Sequence, residues 1–325
     1  MPTRSFITQR LLSRHWLGST ITTLIRRLGI SVEKYALTDV HLELTNICNL
    51  KCAMCPTNRG MQREKCCISF ELVKKIVEEN PQTQSYGLND WGEPLLHPQF
   101  LKIVEFLKGK GKRVYFATNA TLMNEGIAEA LVHMKVDSII FSIDGAYEDY
   151  EKIRGSDYEK VKANALNLLK VAKERGVSMR TCIVATVGRE NEEAIERLRA
   201  DWNGIMPVTT QPRLLFRKDE RKGLCSQLFR NHVIVLSNGK VVPCCADYEG
   251  YLEVGDAWKQ TLNEIINGEK MKKLRADSSG TFCDFCSEYK SKEAVDRFKT
   301  NPIFRKVKMM VGNVWKCELE LHKVV

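Results

Sequence analysis

The stretch Val40-His41-Leu42-Glu43-Leu44 alternates apolar and polar residues, and Cys48-Asn49-Leu50-Lys51-Cys52-Ala53-Met54-Cys55 follows it closely. The alternation predicts a strand, so three thiols within eight residues lie just past a strand end. A closed structural zinc site and an ordinary iron-sulfur cluster each take four ligands. Three thiolates at metal-ligand spacing therefore leave one metal position open, which suits reactivity.

The composition is that of an ordinary globular chain. Its 325 residues are 43% hydrophobic and 28% charged, enough for one large domain or for a main domain with a smaller appendage. No apolar run approaches the roughly 18 residues that span a bilayer, and the N-terminus lacks a signal-peptide pattern. We therefore expect the protein in the cytoplasm. Twelve cysteines in a cytoplasmic chain indicate metal or redox chemistry rather than a disulfide framework.

Positive charge is concentrated partly at the two ends of the chain, whose formal net charge is +10. Residues 5–28 have the spacing of amphipathic helices, so we assign residues 1–37 to an N-terminal helical extension and residues 291–325 to a C-terminal tail. The extension is expected to pack on the main domain, with membrane-surface contact as an alternative. The basic balance suits a phosphorylated substrate, an anionic membrane or nucleic acid, or it is only a solvated face.

From Thr38 onward, strand-like and helix-like segments alternate. Strands are predicted at 40–44, 85–89, 113–118, 138–143, 178–187 and 205–212. Helices are predicted between them, at 70–77, 100–107, 127–132, 161–172 and 194–198. This order is typical of parallel strands joined by crossover helices, in an α/β barrel or a doubly wound sheet. In either fold the chemistry lies at the C-terminal strand ends, which is where the three-cysteine loop falls.

The C-x3-C-x2-C spacing of Cys48, Cys52 and Cys55 resembles the signature of the radical S-adenosylmethionine (SAM) superfamily. The resemblance implies a [4Fe-4S] cluster on these cysteines, with SAM on the fourth iron and an electron donor such as flavodoxin or ferredoxin. It also implies a partial (β/α)6 TIM-like barrel over residues 38–212. The radical formed from SAM would then abstract a substrate hydrogen. A zinc site completed by a distant residue, or three incidental buried thiols, is the alternative.

The segment Asp90-Trp91-Gly92-Glu93-Pro94-Leu95 resembles the Gly-Gly-Glu-Pro segment of the same superfamily, with Trp91 in place of the first glycine. The resemblance implies that Gly92, Glu93 and Pro94 form the loop that receives the SAM amino group. This role is physically sensible because an ammonium group needs only acceptors, which carbonyls and a carboxylate supply.

Three later motifs also resemble the superfamily, namely Thr118-Asn119-Ala120, Ser142-Ile143-Asp144-Gly145 and Tyr150-Glu151-Lys152-Ile153-Arg154-Gly155. The resemblance implies that Ser142 hydrogen-bonds SAM and that Asn119 and Asp144 face the cofactor or the substrate. Arg154 would bind the SAM carboxylate, for which a guanidinium fork is well shaped. Met54 would pack on the adenine ring.

A second group of cysteines follows a charged linker at 213–222. The group comprises Cys225, Cys244, Cys245, Cys283 and Cys286. Between its members, the alternating runs on either side of Asn238-Gly239 predict a β-hairpin. Four thiolates in this layout suit a closed site, which holds either zinc or a [4Fe-4S] cluster.

The spacing of Cys225, Gly239, Cys244 and the later C-x2-C pair resembles the auxiliary-cluster domain called SPASM or, when shortened, Twitch. We assign residues 213–290 to such a domain. The resemblance implies one auxiliary [4Fe-4S] cluster on Cys225, Cys244, Cys283 and Cys286, used for electron transfer or structural support. Cys245 is then a packing residue, an alternative ligand, or a thiol that donates hydrogen to a substrate radical.

Relatives with a shortened domain include a dehydrogenase and an epimerase of aminoglycoside intermediates. We therefore expect oxidation or epimerisation of a carbohydrate, aminocyclitol or polyol, phosphorylated or nucleotide-linked given the basic charge. Modification of a ribosomally made peptide is the alternative. A third hypothesis, from another class, is a zinc-containing nucleic-acid-binding protein that uses the basic termini.

Overall fold

The computed structural model describes residues 35–58, 60–188, 191–212 and 227–278, together with residues 225, 281 and 283. The chain divides into two compact units. The first comprises Met1–Arg213 and Gln227–Ser278, and the second comprises Leu214–Ser226 and Ser279–Val325. The predicted N-terminal helical extension and the predicted C-terminal tail lie outside the described residues, apart from positions 35–37.

The helices and strands of the described residues all belong to the first unit. The strands are β1 Asp39–Leu42, β2 Ser85–Gly87, β3 Arg113–Thr118, β4 Ser138–Ser142, β5 Arg180–Val187, β6 Val208–Pro212, β7 His232–Val235, β8 Lys240–Val242 and β9 Gly255–Asp256. The helices are α1 Phe70–Glu79, α2 Phe100–Gly109, α3 Glu125–His133, α4 Tyr147–Arg154, α5 Tyr158–Glu174, α6 Glu192–Asp201, α7 Leu262–Asn267 and α8 Glu269–Ala276.

The sheet has the order β6-β5-β4-β3-β2-β1-β7-β8-β9. Strands β1 to β6 are parallel and follow one another in sequence order, without the reversal that defines a doubly wound sheet. Because crossovers between parallel strands are right-handed almost without exception, crossovers that all advance in the same direction place their helices on one face. The expected partial (β/α)6 barrel is confirmed.

The predicted hairpin is also present and extends the barrel sheet. Strand β7 pairs in parallel with β1, and β8 pairs antiparallel with β7. Gly239 in the connecting turn has φ +87°, a conformation that favours glycine. The hairpin therefore carries Cys244 and Cys245 back alongside the start of the barrel.

Alternation along the strands separates a helix-covered face from the barrel lumen. In β3, Val114, Phe116 and Thr118 are buried on the helix side, whereas Tyr115 and Ala117 are half-buried on the other. Strand β1 follows the same rule, with Val40 and Leu42 buried completely. The polar residues at alternate positions of β1 and β3 therefore line the lumen.

Helix α4 was not predicted from the sequence, where its residues were interpreted only as a motif. Tyr150 is its one buried residue, so it lacks the apolar stripe that indicates a helix. Its C-cap is Gly155 at φ +71°, a left-handed position suited to glycine. Arg154 is thus the last residue of a short helix, and it lies beside the C-terminal ends of the strands.

Within the described residues, no helix is both long enough and apolar enough to cross a membrane.

Candidate functional site

The three-cysteine loop lies directly beyond β1, at the C-terminal edge of the parallel strands. Cys52 is buried, and Cys48 and Cys55 are half-buried. The Ala53 backbone N–H donates to the carbonyl of Ile153 at 2.9 Å, so the loop is fixed against the end of α4. No three His, Cys, Asp or Glu side chains of the described residues converge on a point that would hold a single metal ion.

Burial makes two of the loop thiols, those of Cys52 and Cys48, weaker acids. It raises the pKa of Cys52 to about 11, against the opposing influence of the Arg154 charge. Burial also raises the pKa of Cys48, opposed by the Leu50 backbone amide. Such thiols are protonated and unreactive at neutral pH, and metal binding is what would deprotonate them. These properties fit cluster ligands better than cysteine nucleophiles.

Lys65 closes the cysteine loop and was not identified from the sequence. Its ammonium donates to the carbonyls of Asn46, at 3.0 Å, and Thr57, at 2.9 Å, on the two sides of the loop. The Asn46 side chain in turn accepts the Cys66 backbone N–H at 2.9 Å. Only the path of the loop brings these groups together, so no local pattern marks them.

Gly92 brings the predicted SAM loop against the cysteine loop. A Cβ at this position would lie 2.0 Å from the Thr45 carbonyl oxygen and 2.8 Å from that of Ile47. The neighbouring Glu93 N–H donates to the same Ile47 carbonyl at 2.9 Å. Backbone therefore meets backbone here, which only glycine permits.

We expect Gly92→Ala to disrupt this contact. Both clashing atoms belong to backbone, so the two loops must separate, at a cost of about 1–3 kcal/mol or more. SAM affinity, measured by equilibrium dialysis, should fall at least tenfold. Gly109→Ala is the matched control, because a Cβ at Gly109 meets nothing within 4 Å. Equal SAM affinity in the two variants would contradict this account of Gly92.

Glu93 presents a buried carboxylate with an acceptor position to spare. It accepts the Thr118 hydroxyl at 2.7 Å, the Asn119 N–H at 2.8 Å and the Leu95 N–H at 3.1 Å. A carboxylate has about four acceptor positions, so one remains for the ammonium of SAM. Burial raises the pKa of Glu93 to about 6, although these three hydrogen bonds oppose the rise.

SAM binding should therefore weaken in mild acid. Only ionised Glu93 attracts an ammonium, and with a pKa of about 6 its ionised fraction falls roughly fourfold between pH 7 and pH 5.5. We expect the dissociation constant of SAM to rise by that factor in reconstituted protein without reductant. Glu93→Gln should bind SAM more weakly and without this pH dependence. The same pH dependence in the variant would assign it to another group.

Asn119 links β3 to the cysteine loop. Its amide nitrogen donates to Asn49 Oδ1 at 3.0 Å and approaches Cys48 Sγ at 3.9 Å. Its amide oxygen accepts the backbone N–H and the hydroxyl of Thr121, at 3.0 and 2.7 Å. The side chain is thus engaged mainly by protein groups, next to the first cysteine.

Asp144 and Arg154 form a buried ion pair at the ends of β4 and α4. Arg154 Nε lies 2.6 Å from Asp144 Oδ2, and Asp144 Oδ1 accepts the Thr186 N–H at 2.6 Å. The nearby Asp144 carboxylate raises the pKa of Arg154, against the effect of burial. No hydrogen bond joins the two terminal guanidinium nitrogens to the described residues. They are free to form a fork on a carboxylate, which fits the role predicted for Arg154.

The remaining predicted SAM contacts lie around the same edge. Ser142 ends β4 and is half-buried on the lumen side. Met54 is half-buried in the turn between Cys52 and Cys55. Pro94 is buried at the start of a short 3-10 turn, Pro94–Leu96. Their roles toward SAM stay predictions.

Trp91, which departs from the superfamily motif, connects the SAM loop to the Cys245 segment. Its indole N–H donates to the Cys245 carbonyl at 2.6 Å, and its ring packs edge-on against Tyr248 with centroids 5.6 Å apart. The Thr57 hydroxyl donates to the Trp91 carbonyl. A glycine could not supply the two side-chain contacts.

Asp90 is a second residue that the sequence did not identify. Its Oδ2 atom is buried and has no hydrogen-bond partner in the described part of the chain. Burial, followed by the negative charges of Cys245 and Glu43, raises the pKa of Asp90 well above its ordinary value, with Arg63 opposing. A protonated carboxyl group beside Cys245 can donate a hydrogen bond where a carboxylate cannot.

The lumen carries a hydrogen-bonded group on β1 and β3. The Tyr115 hydroxyl donates to Asp39 Oδ2 at 2.8 Å and lies 2.7 Å from His41 Nε2. Gly87 provides room, since a Cβ there would lie 2.9 Å from the Tyr115 ring. Asp39, His41, Tyr115 and Cys245 line one cavity of about 890 Å³.

The four predicted auxiliary ligands are divided between the two units. Cys244 belongs to the first unit, where its sulfur accepts the Ala246 N–H at 3.3 Å, a contact that suits a cluster thiolate. Cys225 and Cys283 belong to the second unit and are both buried. Cys286 lies outside the described residues. The four-cysteine ligand set therefore stays a prediction.

A parallel barrel with three cysteines beyond β1, a buried glutamate beyond β2 and an open arginine fork defines an enzyme of the radical SAM class. Residues 42–201 match the family model described as "Radical SAM superfamily", and residues 225–288 match SPASM, described as "Iron-sulfur cluster-binding domain". The chain belongs to the radical SAM superfamily and has a C-terminal SPASM domain. SAM and a [4Fe-4S] cluster belong to the first domain, and an auxiliary iron-sulfur cluster belongs to the second.

Curated relatives match part of the chain. One is the tungsten-containing aldehyde ferredoxin oxidoreductase cofactor-modifying protein of Pyrococcus furiosus, 32% identical over 108 residues, which are 32% of this chain and 30% of the relative. Another is the mycofactocin maturase MftC of Mycobacterium tuberculosis, 29% identical over 143 residues, which are 43% of this chain and 36% of the relative. The matched segments thus span about a third of each relative.

Solved structures share the fold at low sequence identity. BtrN in complex with AdoMet and 2-DOIA is 15% identical with a TM-score of 0.53, covering 78% of this chain and 94% of BtrN. Streptococcus suis SuiB bound to precursor peptide SuiA is 13% identical with a TM-score of 0.60, covering 82% of this chain and 72% of SuiB. At such identities the likeness concerns architecture alone.

Proposed function

We propose that this enzyme abstracts a hydrogen atom from a carbohydrate, aminocyclitol or other polyol that binds in the lumen cavity. The observation that carries the proposal is the polar cavity wall, where Asp39, His41 and Tyr115 offer hydrogen-bonding groups and Cys245 lines the same space. A buried hydroxyl without a hydrogen-bond partner costs free energy. A hydroxyl-rich substrate therefore needs a wall of this kind, and an apolar substrate does not.

SAM, when bound and reduced by one electron, supplies the 5'-deoxyadenosyl radical that removes the hydrogen atom. The chain's own residues bind and orient it. Glu93 accepts the ammonium, and the open guanidinium nitrogens of Arg154 pair with the carboxylate. Asp144 holds the Arg154 side chain in position through Nε.

Two outcomes follow for the substrate carbon radical. In epimerisation, the Cys245 thiol donates a hydrogen atom on the opposite face, and the thiyl that remains takes one electron and one proton from an external reductant such as reduced flavodoxin. In oxidation, the substrate hydroxyl would lose its proton and the radical would lose one electron, for which the auxiliary cluster, when bound, would be the acceptor; the product would be a ketone. We propose that the enzyme catalyses one of these two reactions.

The position of Cys245 allows a direct test. Reconstituted enzyme in D₂O, with SAM and reductant, would be incubated with a panel of aminocyclitols and nucleotide-linked sugars. Epimerisation through an exchangeable thiol should place one deuterium in the product, and Cys245→Ala should lose product while still forming 5'-deoxyadenosine. Cys67→Ala is the control, because Cys67 is also exposed but does not line the cavity. Undiminished deuterated product in Cys245→Ala would exclude the thiol as donor.

A ketone without incorporated deuterium would support oxidation instead. No turnover of any polyol, combined with active SAM cleavage, would contradict the proposed substrate class.

Radical modification of a ribosomally made peptide is the second candidate. It is favoured by the sequence similarity to the maturase MftC and by a fold shared with SuiB bound to its precursor peptide. Mass spectrometry of candidate peptides incubated with the enzyme would detect it. The zinc-containing nucleic-acid-binding hypothesis has no support in a radical SAM family member. Membrane contact is likewise unsupported, and a cytoplasmic location stays a prediction.

A further inference from the structure

The lumen cavity is strongly basic where the parallel strands begin, at the end away from the cysteine loop. Arg113 starts β3, Arg180 starts β5, and Arg230 lies two residues before β7. All three line the cavity, as does Lys135. The strand starts therefore bring together four cations that are scattered along the sequence.

These cations are not neutralised by neighbouring carboxylates. None of the four forms an ion pair or a side-chain hydrogen bond with the described residues. A fifth cation of the cavity, Lys108, is already paired with Asp137 at 2.6 Å. The other acidic residue that lines the cavity, Asp39, accepts the Tyr115 hydroxyl. Among the described residues that line the cavity, five Lys and Arg side chains thus stand against two carboxylates, those of Asp39 and Asp137.

Polar groups that can donate hydrogen bonds lie between these cations. Ser138, Ser178 and Asn231 line the same end of the cavity. Planar guanidinium groups and hydroxyls together match the several oxygens of a phosphate or diphosphate better than the two of a single carboxylate. The excess of positive charge in the cavity is also larger than a ligand with a single carboxylate would need.

The dimensions of the cavity restrict the ligand further. From Arg113 to Thr118 strand β3 rises roughly 17 Å, at about 3.3 Å per residue. Cys245 lines the same cavity, and its carbonyl accepts the indole N–H of Trp91. Trp91 lies past the C-terminal end of β2, whereas the cations lie at the strand starts. A ligand that touches both regions is therefore extended, and the cavity of about 890 Å³ is large enough for it.

We propose that the strand-start end of the lumen binds the phosphate groups of the substrate through Arg113, Arg180 and Arg230. The substrate is then an extended phosphate ester, of nucleotide-linked sugar size, whose sugar reaches toward Cys245. This inference rests on the proposed function, because it extends the same substrate site. The net charge of the chain only suggested a phosphorylated substrate, whereas the cavity identifies the side chains that bind it.

The test measures binding of uridine diphosphate and inorganic phosphate to the reconstituted enzyme by titration calorimetry at fixed ionic strength. We expect Arg113→Gln/Arg180→Gln to weaken uridine diphosphate binding at least about tenfold, because charge-assisted hydrogen bonds are lost. Arg175→Gln changes the charge at an exposed site outside the cavity and should bind as wild type does. Arg230→Gln provides an independent variant, and circular dichroism checks that each variant folds.

Equal binding by the double variant and Arg175→Gln, or no binding by wild type, would overturn the proposal. If inorganic phosphate bound as tightly as uridine diphosphate, the inference that the substrate is an extended phosphate ester would be wrong. Wild-type SAM cleavage without substrate is measured in parallel. Active cleavage with no binding of uridine diphosphate refutes only this inference, whereas absent cleavage refutes the proposed function itself.

Discussion

Changing Cys48, Cys52 and Cys55 together to alanine is expected to abolish reductive SAM cleavage. The three thiolates are the proposed ligands of the SAM-binding cluster, and without it the electron has no route to the sulfonium. Formation of 5'-deoxyadenosine would be monitored by chromatography, with reductant present under anaerobic conditions. It should fall to the level measured without enzyme. Iron at the auxiliary site should remain, because its proposed ligands are separate cysteines.

The control for this experiment is Cys182→Ala, which removes a half-buried thiol of β5 that has no proposed ligand role. It should cleave SAM as wild type does. Persistent cleavage in the triple variant would refute the ligand assignment. Loss of all iron from the triple variant would instead mean that the two sites do not assemble independently.

Arg154→Met should produce the largest loss of stability among single substitutions at the site. The side chain of Asp144 is fully buried, and removing Arg154 leaves its charge without a counter-ion. Breaking a buried pair in this way costs about 3–5 kcal/mol. We expect a lower urea midpoint of unfolding for the cluster-free protein, and loss of measurable SAM binding after reconstitution.

Two further variants test the cause of this effect. Arg154→Met/Asp144→Asn removes both charges and should recover part of the lost stability, since no buried charge is left unpaired. Lys152→Met breaks an exposed pair with Glu148 on the same helix and should change stability by less than about 1 kcal/mol. If the double variant were less stable than Arg154→Met, the buried charge would not be the cause.

Much of the barrel was predictable because local periodicity determines it. Strand β3 occupies Arg113–Thr118, as its alternation predicts, and Ser69 caps α1 through the Leu72 N–H. Helix α4 was missed since its burial depends on the strand ends around it. Helix α7 begins only after Thr261 and its capping box, so Trp258 lies outside it. Capping chemistry decided that boundary, and apolar spacing did not.

The candidate site was predictable only where a motif marks it. The cysteine loop and Gly92-Glu93-Pro94 have such motifs. Lys65, which bridges the loop, does not, and Asp90 lies near Cys245, which is more than 140 residues further along the chain. The arginines of the lumen likewise come from separate strand starts. These groups meet through the topology of the sheet, so local sequence patterns contain no signal for them.

The most direct test of the central claim is iron and acid-labile sulfide per chain in anaerobically reconstituted wild type, measured together with SAM cleavage. A radical SAM enzyme with one SAM-binding and one auxiliary [4Fe-4S] cluster should contain about eight of each atom and form 5'-deoxyadenosine under reductant. Zinc alone, or iron confined to one site that cannot cleave SAM, would contradict it.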